Sequence, residues 1–218
     1  MNKIKLLYDV IKTMKDKTNF KGVLTARLQK EQEIIFSLQN EFDKNLLTGQ
    51  TRSKIFTEVN YADKKIKHEG ITEFSASDSC ESMPVRFMRH MHHHHAGKCC
   101  GIKAKLTKLA FAFAVLNNLQ IKEQDQATIV SLNMNELPED MKALIHEKMN
   151  SAASCHCHEH HGFAKEFLNI DQWDFTLNMI VNKQFEVEKI AITLDGAQIN
   201  EQNKQSAINT SVEIQFAW

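Results

Sequence analysis

The sequence predicts an α+β protein, an antiparallel meander sheet of seven or eight strands with about three helices. Two observations predict it. Long stretches at both ends alternate apolar and polar residues with a period of two, and short polar turns separate them. Three other stretches carry apolar residues at helical spacing.

The elements follow in order. Ile4, Leu7, Tyr8, Ile11 and Met14 recur at i, i+3, i+4 and i+7, which marks an amphipathic helix at the start. Residues 20–29 and 33–43 then alternate across a polar Lys30-Glu31-Gln32 turn, with Ile34, Phe36, Leu38 and Phe42 on one face. Residues 53–62 (Ile55, Val59 and Tyr61 on one face) and 65–74 complete a four-strand meander. Residues 104–119, rich in Ala, Leu and Lys, predict a largely buried helix through Leu106, Leu109, Ala110, Phe113 and Leu116. Residues 127–134 alternate and predict a strand. Pro138 at a first helical position, followed by Glu139 and Asp140, opens a helix to about Asn150. Its expected buried stripe is Leu137, Met141, Leu144, Ile145 and Met149. Alternation returns in Trp173, Phe175, Leu177, Met179 and Val181, then in residues 185–194, where Ile190, Ile192 and Leu194 share a face. It resumes from Ile208 through Val212, Ile214 and Phe216 to Trp218. The chain reads as a single domain, 1–218. Its parts are a helix and meander (1–74), a helical middle rich in His and Cys (75–165) and a C-terminal meander (170–218).

This order of elements resembles the LolA-like half-barrel fold of lipoprotein carriers. The resemblance implies a sheet curved into a half-barrel, with the helices packed on one face. It also implies a concave apolar surface that holds an acyl chain or another hydrophobic small molecule. Phe36, Leu177, Ile192 and Phe216 would line such a cavity.

Charge narrows the function classes. The 218 residues hold 27 Lys+Arg against 27 Asp+Glu, a formal net charge of zero. A nucleic-acid partner held by a global basic surface is therefore not expected, because phosphate contacts need a cationic excess. No run of 18 apolar residues occurs, so no membrane span is expected. The first helix is too interrupted by Lys and Asp to act as a signal peptide. Cys99-Cys100 and Cys155-x-Cys157 are poor disulfide partners for one another, and reduced thiols point to the cytoplasm.

One feature of the composition is out of line. Of 11 His, nine fall in two short tracts that also hold four of the five Cys. The first tract offers His90, His92, His93, His94, His95, Cys99 and Cys100. The second offers Cys155, His156, Cys157, His158, His160 and His161. Neutral imidazole and thiolate are the donors that Zn²⁺ prefers, and soft sulfur suits Cu(I). Zn²⁺ is the expected ion, with Cu(I) and Ni²⁺ behind it. The 13 candidate donors exceed the four of one tetrahedral site, so several ions bind or one exchanges among partners. Cys99 and Cys100 precede the helix expected from 104, whose dipole would favour their thiolates.

The remaining candidates read as ordinary structure. His68, in phase with Ile66 and Phe74, reads as a hydrogen-bonded core histidine, and His146 as a surface residue. Cys80 and Met83 read as small or adaptable apolar groups, although Met83, Met88 and Met91 would suit Cu(I). No nucleophile elbow, zincin helix or phosphate loop occurs, so an enzyme is the less favoured reading. An enzyme with a catalytic metal would need an open coordination position and a nearby acid or base such as Glu159. The expected function is transition-metal binding in sensing, buffering or delivery, with the hydrophobic-ligand carrier as the alternative. No protein partner is implied.

Overall fold

The structure is a computed structural model that describes residues 2–61, 64–75, 112–139, 141–143, 145, 172–199 and 205–218. Helix α1 (Lys3–Lys15) opens the chain. Asn2 caps it, its side chain accepting from the backbone N–H of Ile4 at 2.9 Å and of Lys5 at 3.3 Å. Lys12 and Lys15 in the last turn suit the negative end of the dipole.

Four strands follow: β1 (Asn19–Lys30), β2 (Glu33–Asn45), β3 (Gln50–Tyr61) and β4 (Lys64–Ser75). The β1–β2 turn is two residues long, with Glu31 and Gln32 both left-handed (φ 49° and 76°). That geometry matches the twist of a hairpin, although neither residue favours it. Ser206 Oγ donates to Glu31 Oε1 at 2.9 Å, and the Glu31 N–H donates to the Ala207 carbonyl at 3.1 Å. These contacts from a distant strand hold the turn.

Residues 112–118 form the described part of helix α2, and residues 139, 141–143 and 145 belong to helix α3. Between them lie β5 (Gln120–Glu123) and β6 (Ala127–Asn133). The chain closes with β7 (Gln172–Asn182), β8 (Val187–Ile199) and β9 (Gln205–Ala217).

All nine strands join one antiparallel sheet in the order β4-β3-β2-β1-β9-β8-β7-β6-β5. This corrects the expected α+β fold of seven or eight strands. The described chain is dominated by one open nine-stranded sheet, and its helices are few. The missed strand, β5, is only four residues long, too short to show a period, and directly follows the apolar stretch that reads as helix. A second correction concerns β8. It starts at Val187, because Phe185 is left-handed (φ 60°) inside a turn that Asn182 organises. Asn182 Oδ1 accepts from the N–H of Gln184 at 2.9 Å and of Glu186 at 3.0 Å.

The register puts most of the expected apolar residues on one face; Ile34, expected beside Phe36, falls past the β1–β2 register shift, pairs with Gln29 and is 42% exposed. Phe36, Leu38 and Phe42 of β2 sit opposite Leu28, Ala26 and Gly22 of β1, which in turn face Thr210, Val212 and Phe216 of β9. Beyond β9, Ile190 and Ile192 of β8 meet Met179 and Leu177 of β7, and these meet Val130 and Leu132 of β6. The close packing is confined to one half of that face. Leu6 and Val10 of α1, Leu119, Val130, Leu132, Leu137, Met141, Val181 and Val187 form the core, with Val181 fully enclosed. By contrast, Ser53 (8% exposed) is the only buried residue that β1–β4 contribute among the described residues.

Two expected faces also shift. Helix α1 buries Leu6 and Val10, whereas Ile4, Tyr8 and Ile11 of the expected stripe are exposed. Phe113, expected inside α2, is 52% exposed. Leu137, just before α3, and Met141 within it are buried, and Ile145 is half-buried against the same core, as the periodicity predicts.

Candidate metal centre

All 13 expected donors, His90, His92 to His95, Cys99, Cys100, Cys155, His156, Cys157, His158, His160 and His161, lie outside the described residues. So do Cys80, Met83, His146 and Glu159. What the structure does describe is the elements from which the tracts depart. The first tract lies between Ser75 at the end of β4 and the start of α2, and the second between α3 and the start of β7. Ala114, Val115 and Leu116 of α2 and Met141 and Ile145 of α3 pack into one core cluster. Cys100 stands 12 positions before residue 112, and Cys155 stands 10 after Ile145. An extended chain covers about 3.5 Å per residue, so each tether reaches roughly 35–40 Å from that shared core.

His68, expected as a core histidine, is exposed on edge strand β4. It shares the sheet face of Ile66 and Phe74, as its phase predicts, but no described layer covers that edge. Among the described residues no three His, Cys, Asp or Glu side chains gather as a metal site. One carboxylate pair, Asp174 and Asp195, lies directly opposite on β7 and β8. Like charges in that position repel. Amides relieve the repulsion, because Asn135 Nδ2 donates to Asp174 Oδ2 and Asn209 Nδ2 donates to Asp195 Oδ1 at 2.6 Å.

The sequence offered no sign of a polar clasp that closes one end of the sheet. Lys17, just past α1, donates to Glu186 Oε1 and sits 4.7 Å from the centre of the Trp218 ring. Asn182 Nδ2 donates to Glu186 Oε2 at 2.8 Å, and Trp218 Nε1 donates to the Val187 carbonyl at 2.9 Å. Phe216 stacks on Trp218 at 5.3 Å, with Phe20 edge-on to both. The clasp borders an open recess of about 560 Å³, whose lining includes Asn182, Glu186, Glu188 and Lys189. These groups suit water better than an apolar ligand.

The Lys17 ammonium, and after it the Asn182 amide, hold the Glu186 carboxyl below its ordinary value of 4.5. A carboxyl lowered on folding stabilises the fold above its unfolded pKa. That contribution fades as the pH falls through the folded value. The urea midpoint is therefore expected to drop on acidification from pH 5 toward 3. In Glu186→Gln part of that acid dependence should vanish. An identical pH profile in the variant would exclude this clasp as a source of acid sensitivity.

Comparison with known proteins adds little. No protein-family model matches the chain, and no curated protein does. Among solved structures, an N-terminal dehydratase from the difficidin assembly line aligns over 99% of this chain and 83% of its own. The identity is 9% and the TM-score 0.14, a level at which the likeness carries no structural or functional weight. Among the described residues no helix is long and apolar enough to cross a membrane.

Proposed function

We propose that this protein binds transition-metal ions through its two His/Cys tracts, and serves in sensing, buffering or delivery in the reducing cytoplasm. The observation that supports this reading is that the described helices nearest each tract in sequence, α2 and α3, both pack against one core cluster. Thiolates of Cys99, Cys100, Cys155 and Cys157 would be the strongest donors, and the neighbouring imidazoles would complete the shell. Zn²⁺ fits this mixed set best, with Cu(I) and Ni²⁺ next. Binding releases protons, because thiolate and neutral imidazole are the ligating forms. The histidine-dependent part should weaken below about pH 6.

The test is elemental analysis of untagged protein purified without added metal, beside a variant with all four of these cysteines changed to Ser. The parent should carry tightly bound ions and the variant far fewer. Equal metal content in the two would remove the thiolates from the site.

One observation favours a second reading, a carrier for a hydrophobic small molecule. Phe36, Leu177, Ile192 and Phe216 share a sheet face, and all four are only half-buried. Native mass spectrometry separates the two readings, since it shows either bound ions or a co-purified lipid.

A further inference from the structure

Strand β4 is an edge with the features of a strand built to be paired. It is 12 residues long, roughly twice the usual strand. Its ladder with β3 runs through 12 residue pairs without a bulge, whereas β1–β2 and β7–β8 both contain a register shift. It contains no proline, and among the described residues nothing pairs with its outer side. Natural edges of this length are normally shortened, bulged, covered or studded with charge, and of these β4 has only the charge. Three large apolar side chains stand out from it, Ile66 (60% exposed), Ile71 (61%) and Phe74 (49%).

The order of charges along β4 indicates what pairs there. Lys64, Lys65 and Lys67 come first along it, and Glu69 and Glu73 follow. A strand that is basic at one end and acidic at the other is complementary to itself when laid antiparallel. We propose that a second copy of this chain adds to β4, so that two β4 strands pair antiparallel about a two-fold axis at Gly70. In this register Lys67 stands opposite the partner's Glu73, Ile66 opposite the partner's Phe74, and His68 opposite the partner's Thr72. The two-fold repeats each of these pairs, as an isologous interface requires. Sliding by two residues one way sets Glu69 against its own copy. Sliding the other way sets Glu69 against Glu73. Only the central register of these three avoids opposed like charges; it matches Ile66 to Phe74 and sets Ile71 beside Glu69. Gly70 at the axis keeps the centre uncrowded. Arg52 and Glu58 on β3, which already pair with Glu73 and with Lys65 and Lys67, extend the cross-strand pairs into a network.

The experiment is sedimentation across a concentration series, with a chelator present so that metal-bridged association is absent. The parent should form a dimer. Lys67→Glu and Glu73→Lys should each weaken it by roughly tenfold or more, because each sets two like-charge pairs across the axis. An equimolar mixture of the two single variants should regain the parent's affinity as a heterodimer, since both pairs are then complementary again. That mixing step also separates interface loss from misfolding, because a variant that failed to fold would not be rescued by the other. A parent that stays monomeric, or a dimer indifferent to both reversals, overturns the proposal.

Discussion

Replacing Gly22 with alanine is expected to lower the stability by about 3 kcal/mol, the upper end of what overpacking a tight site costs. Gly22 lies on β1, between Phe42 of β2 and Phe216 of β9. A Cβ there would come within 2.3 Å of the Gln215 carbonyl oxygen and 3.0 Å of Phe42 Cζ. The first obstacle is backbone, so it cannot rotate away. The ladder between β1 and β9 must open locally, and with it the edge-to-face contact of Phe42 and Phe216 at 6.3 Å. Because β1–β9 is, among the described residues, the only strand pairing that joins the β1–β4 half to the β5–β9 half, the damage should concentrate at that seam. Thermal unfolding should shift down by roughly 6–12 °C for a chain of this size. Amide exchange should quicken more at the β1–β9 seam than in β6 or β7. An unchanged melting temperature would mean that the two strands are further apart than described.

The second large effect is expected at Leu6. This side chain is 1% exposed and packs with Val10, Val130 and Val181 beneath α1. Leu6→Ala removes apolar area and leaves a cavity, at a cost of about 2–5 kcal/mol. Ile11→Ala on the opposite side of the same helix is the control. Ile11 is 56% exposed, so its loss should stay within about 0.5 kcal/mol. Urea denaturation of the two variants decides the matter. The reverse ranking would mean that α1 docks through Ile4, Tyr8 and Ile11 instead.

That contrast also shows where sequence reading stops. Alternation located the eight longer strands, though not the start of β8, and put Phe36, Ile192, Val212 and Phe216 on one face, because a period of two leaves only two choices of face. Helix α1 leaves more freedom. Apolar side chains cover over half its circumference, so Ile4-Tyr8-Ile11 and Leu6-Val10 are both plausible inner stripes. The surface beneath selects between them, and that surface comes from β6 and β7, more than a hundred residues away. Strand β5 has too few residues to show a period. The seam of β1 with β9 and the Lys17–Glu186 contact depend on pairings across almost the whole chain, which no local pattern encodes. For the proposed metal site the legible part is composition. The sequence shows thirteen candidate donors in two tracts, but repeated histidines are interchangeable, and spacing alone does not choose four among them.

The strand order has a consequence for how the molecule is made. The chain enters the sheet at its centre with β1, works outward to β4, crosses to the far rim at β5 and works back to β9. Its central ladder joins residues as distant as Lys21 and Ala217. Hairpins of the first half can form as soon as they leave the ribosome, whereas closure of that ladder waits until β9 has been made. Until then the inner rim of β1 is a second sticky margin, and the nascent half-sheet is most vulnerable to aggregation during that interval.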